Sequence, residues 1–135
     1  MPTDPHYIRP PRPRPPRYCG SGYNYVGKHK MSLNGKSYNP ARGYVYVYWN
    51  GAKGKNCLVA QPQSSWAGFT SKVGVWARDY RADPEDGVSD GYGYTNYRYY
   101  AGPIYLSAPT CIALGGNFDY KGSHYSAYVP KAHCG

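Results

Sequence analysis

Apolar and polar positions alternate along this chain with a period of two, the mark of half-buried strands. Residues 44–49, Tyr44-Val45-Tyr46-Val47-Tyr48-Trp49, are β-branched or aromatic throughout, and Asn50-Gly51 follows at once as a turn. Residues 57–60 read as the returning strand of that hairpin, across a loop rich in glycine and lysine. Residues 72–80 alternate again, with Val73, Val75 and Ala77 opposed to Trp76, Arg78 and Tyr80. Residues 92–100, 103–108, 111–114 and 123–129 bring the predicted strands to seven. No window holds the three-and-four apolar spacing of a helix, and 17 glycines and 13 prolines punctuate the chain. The expected fold is all-β, a small disulfide-linked antiparallel sandwich or barrel.

Along residues 44–49, a period of two turns Val45, Val47 and Trp49 toward the core and leaves Tyr44, Tyr46 and Tyr48 outside. Such a stripe either shields the backbone of an ordinary amphipathic strand or forms an aromatic contact surface for protein or sugar. Tyrosine is abundant here, at 18 residues, and it gives rigid, amphipathic contact area at low entropic cost. The tyrosine strand and the acidic loop after Arg81 are both candidate interfaces of the body, with Tyr44, Tyr46, Tyr48, Trp66, Tyr97 and Arg98 as the candidate contacts, since Trp, Tyr and Arg dominate binding hot spots.

The first 18 residues read differently, with seven prolines and four arginines against Asp4 alone. Proline fixes φ and lacks an N–H, so this stretch predicts an extended, polyproline-like arm without a core of its own. A stiff strand loses little entropy on docking, which suits it to a partner's groove. Its candidate contact residues are Tyr7, Ile8, Arg9, Arg12, Arg14 and Arg17. The expected organisation is a binding arm, residues 1–18, and a β domain, residues 19–135. A leader or cloning remnant is the plain alternative for the arm.

Four cysteines, Cys19, Cys57, Cys111 and Cys134, fit two disulfides and an oxidising, extracellular setting. Three pairings are open; Cys19–Cys57 with Cys111–Cys134 closes the shortest loops, each stabilising by about 2–4 kcal/mol. The chain has no CxxC zinc pattern, no apolar signal segment and no membrane-length hydrophobic run. The expectation is a secreted mature chain without a signal peptide, with the native status of Met1 left open.

Net charge of +9 attracts nucleic acid, anionic wall polymers and acidic proteins alike, so it separates few classes. Tyr97-Arg98-Tyr99-Tyr100 would suit base stacking, but an extracellular setting argues against nucleic acid. Candidate catalysis is thin. Asp83, Glu85 and Asp86 cluster in an acidic loop without the spacing of a calcium-binding EF-hand, and His6, His29, His124 and His133 are dispersed. A metal pair of His124 and His133 is the one arrangement that spacing suggests. The expectation is a non-enzymatic chain without a cofactor.

Several segments in order resemble the actinobacterial secreted family of spore-associated protein A. They are Cys19-Gly20-Ser21-Gly22-Tyr23, Gly54-Lys55-Asn56-Cys57-Leu58-Val59, Tyr100-Ala101-Gly102-Pro103-Ile104-Tyr105, Cys111 leading to Gly115-Gly116, and the closing Cys134-Gly135. The resemblance covers nearly all of the body and says nothing of the arm. It implies a small, secreted, β-rich domain with four cysteines and no catalytic residues to carry over. The same type of domain is similar to the small adaptor subunit of Streptomyces umbrella toxin particles. That likeness implies an arm docked in the cleft of a trypsin-like, lectin-bearing subunit and a body bound to a large helical-repeat toxin subunit. Arg12, Arg14 or Arg17 would then offer a guanidinium to an acidic cleft. Two alternatives remain: a spore- or wall-surface protein binding an anionic polymer, and a protease inhibitor.

Overall fold

The computed structural model describes residues 18–91, 97–108 and 110–134. The predicted arm contacts Tyr7, Ile8, Arg9, Arg12, Arg14 and Arg17 lie outside the described residues. Eight strands follow one another: β1 (Asn24–Leu33), β2 (Gly43–Asn50), β3 (Lys55–Pro62), β4 (Ser71–Asp79), β5 (Val88–Asp90), β6 (Ala101–Leu106), β7 (Ile112–Tyr120) and β8 (Ser123–Ala132). A 3-10 turn, Pro84–Asp86, interrupts the acidic loop.

All pairings are antiparallel, in the order β5-β4-β7-β8-β1-β2-β3-β6. β1 joins the two halves. From Asn24 to Met31 it pairs with β2, and at Ser32 and Leu33 it changes partner to β8. The sheet thereby curls on itself until β6 packs beside β4 and β5, giving a nearly closed barrel. The carboxylate of Asp90 in β5 ties that closure, accepting from Gly102 N–H (2.8 Å) and from the Tyr97 hydroxyl (3.2 Å).

The alternation reads out as burial. Val45, Val47, Leu58 and Ala60 of one half meet Val73, Val75, Ala77, Ile112, Leu114 and Phe118 of the other, every one fully buried. The β2–β3 hairpin forms as its sequence predicts, with the Asn50 side chain accepting from Lys53 N–H across the turn (3.1 Å). The disulfides are Cys19–Cys57 and Cys111–Cys134, the pairing that closes the shortest loops.

Three expectations need correction. Trp49 is 37% exposed and lies outside the main core, because it stands beside the turn at the end of β2 and lines a cleft instead. Residues 97–100 are bends and turns, not strand, while residues 92–96 lie outside the described residues. β1 and β5 are strands that alternation does not announce. The first half of β1 is largely exposed on both faces, so Tyr25, Gly27 and Lys28 carry no apolar period.

The two halves approach closely at Gly116. A Cβ there would sit 2.6 Å from Val45 Cγ2 and 3.2 Å from the Ala60 methyl. Gly116→Val should therefore overpack the core and cost about 1–3 kcal/mol. Denaturant unfolding checks this, and a loss below about 0.5 kcal/mol would contradict so close an approach.

Candidate functional site

The arm joins the body at a fixed point. Tyr18 stacks on Tyr100, rings 4.0 Å apart and nearly parallel, and the next residue is bonded through Cys19–Cys57 to β3. Tyr105 adds a hydrogen bond from its hydroxyl to the Cys19 carbonyl (2.9 Å), and Tyr23 packs on the Tyr105 ring edge. Burial, with Tyr100 and Tyr48 nearby, pushes the Tyr18 hydroxyl well above the ordinary phenol pKa. That hydroxyl is enclosed without a hydrogen-bond partner among the described residues.

Beneath this junction the tyrosines of β2 form a second, smaller core. Tyr46 (7% exposed) and Tyr48 (6% exposed) pack with Cys19, Cys57, Val59 and Tyr100, and Tyr44 is half-buried at its margin. The stripe expected outside is thus mostly covered. An outward face of a strand looks the same in sequence whether water or a second layer lies over it, and this layer comes from residues 18–23 and 99–100. Trp66 and Tyr97 are also packed inward. Trp66 stacks on Tyr120 (3.9 Å) beside Phe118 and Tyr125, and Tyr97 is 8% exposed in the main core. Arg98 is exposed, its carbonyl accepting from Gly68 N–H and the Thr70 hydroxyl. The body residues singled out from sequence are therefore spread over three places, with Tyr44, Tyr46 and Tyr48 nearest the arm.

The histidines pair, but otherwise than spacing suggests. His124 meets Asp119 (2.7 Å), whereas His133 meets His29, Nε2 to Nε2 at 2.8 Å. One neutral ring donates to the other's lone pair. Burial and the His133 neighbour lower the His29 pKa, and burial lowers that of His133. His133 also borders a cleft of about 360 Å³ with Val26, Trp49, Asn56 and Thr110. Among the described residues, no three His, Cys, Asp or Glu side chains gather as a metal-ligand set. No helix among them is long and apolar enough to cross a membrane.

The class defined by fold and junction is a small disulfide-linked β domain with a tyrosine-packed junction at Tyr18 and Cys19. It is similar to spore-associated protein A of Streptomyces coelicolor, at 34% identity over 99 residues. The match covers 73% of this chain and 54% of the relative, so the chain spans about half of that protein's length. This similarity supports the family resemblance carried by the cysteine and glycine segments. No protein-family model matches the chain, and no solved structure does.

The histidine pair has a pH signature. Both pKa values are lowered below 6.5 in the folded state, so the unfolded chain binds more protons under mild acid. Stability is fully present above 6.5 and falls as pH drops from there toward the folded pKa values. The melting temperature should fall by a few degrees between about pH 7 and pH 5. That acid-side fall should be smaller when both His29→Gln and His133→Gln are introduced. Equal falls in the two proteins would contradict the pairing.

Proposed function

We propose that this chain is a secreted, non-catalytic member of the spore-associated protein A family, acting as an adaptor in a multi-subunit toxin particle. Its arm docks in the cleft of a trypsin-like, lectin-bearing subunit, and its β domain binds a large helical-repeat subunit. The carrying observation is the junction, where the Tyr18–Tyr100 stack and the Cys19–Cys57 bond hold one end of a proline-arginine segment on a rigid barrel. Anchoring one end lowers the entropy lost when the segment is captured. Two disulfides fit an extracellular setting, and the resemblance supplies the identity of the partners.

A second reading is a spore- or wall-surface protein that binds an anionic polymer. It is favoured by the similarity to a spore-associated protein and by the net charge of +9.

Replacing Arg12, Arg14 and Arg17 by alanine in the full chain tests the adaptor reading. The expected outcome is an unchanged melting temperature with at least a tenfold loss, about 1.4 kcal/mol, in capture of the lectin-bearing subunit from culture medium. Undiminished capture would overturn arm docking.

A further inference from the structure

The outer face of β5, β4, β7 and β8 contrasts with the tyrosine-covered face of β2. Strand register sets Ser89, Trp76, Gly115 and Tyr128 side by side across these four strands. At usual strand spacing that row is about 14 Å long. The indole of Trp76 lies flat against the backbone of Gly115, where any Cβ would collide with Nε1 and Cζ2. Tyr128 is 63% exposed, its ring 5.8 Å from that of Trp76 and tilted by 33°. The two rings therefore form a shallow, rigid platform carried on strands.

Charged groups border the platform. The Arg78 guanidinium lies over the Trp76 ring, 5.1 Å from its centre, and its Nε is enclosed without a hydrogen-bond partner among the described residues. Among the described residues no carboxylate lies within ion-pair distance of Arg78. Trp76, Arg78, Glu85 and Ser89 line a cleft of about 380 Å³ on one side of the row. On the other side Tyr128 opens onto a groove of about 330 Å³ walled by Ser32, Ser37 and Ser126.

A sugar ring offers an apolar C–H face to an aromatic ring and hydroxyl groups at its edge. Trp76 and Tyr128 match the face, and the serines and Glu85 match the edge. The length of the row, with a cleft at one end and a groove at the other, fits a chain of sugars better than a single ring. Arg78 adds the charge complement, a planar fork suited to a carboxylate. A protein interface of this size would present a more apolar centre than glycine, serine and two aromatic rings. We propose that this face binds an acidic polysaccharide, its sugar rings stacked on Trp76 and Tyr128 and a uronate carboxylate held by Arg78. The proposal deepens the second reading above by naming its site and its ligand.

The test is binding of polygalacturonate oligomers to the full chain, with the fully methyl-esterified oligomer as a neutral probe of the same backbone. Wild-type protein should bind the acid form at least about tenfold more tightly than the ester. Trp76→Ala and Tyr128→Ala should each weaken binding about tenfold or more, with unchanged near-ultraviolet dichroism beyond the lost chromophore. Tyr128 is exposed, so its variant keeps the test open if Trp76→Ala unfolds. Acid-form binding that survives both substitutions and vanishes in moderate salt would overturn this site but keep the polymer reading. Equal affinity for acid and ester would overturn the role of Arg78. Absence of binding, or binding only to a phosphodiester polymer such as polyphosphate, would overturn the acidic-polysaccharide site.

Discussion

Everything in this fold depends on β1 serving two partners. Its backbone groups pair with β2 as far as Met31 and with β8 from Ser32 onward. A strand can divide its hydrogen bonds in this way only by turning the corner between two layers, which brings the inner faces together. Met31, fully buried at the change of partner, is the side chain that fills the corner. The Asp90 contacts then draw β5 toward β6 on the opposite side.

Once the core is closed, the two outer faces meet different fates. The β2–β3 face is roofed by Tyr18, Cys19 and Tyr100 and fastened by a disulfide, so its aromatic wealth is used to hold the base of the arm. On the β4–β7–β8 face Tyr128 stays 63% exposed, with the half-buried Trp76 beside it. Similar residue types thus do two jobs, attachment on one side and presentation on the other.

How far this was legible in the sequence depended on the range of the interaction. The β2–β3 hairpin was plain, because alternation and an Asn-Gly turn are local signals, and Val45 and Val47 fell inward as their period requires. Loop length pointed to the correct disulfides. The tyrosine roof was not legible, since Tyr18 and Tyr100 come from distant parts of the chain to cover Tyr46 and Tyr48. Nor was the His29–His133 pair, whose members are 104 residues apart. The Trp76–Tyr128 platform also escaped notice. Each residue alone is an ordinary outward aromatic, and only the register through Gly115 makes them neighbours.

The central claim is that residues 1–18 form the gripped part and the barrel is already rigid before any partner arrives. Hydrogen exchange, followed by mass spectrometry on the chain alone and within the assembly captured from culture medium, tests this most directly. The account predicts exchange slowed in residues 1–18 on assembly, with the amides of β2 and β3 equally protected in both states. Unchanged exchange in residues 1–18, or β2 and β3 gaining protection only on assembly, would contradict it.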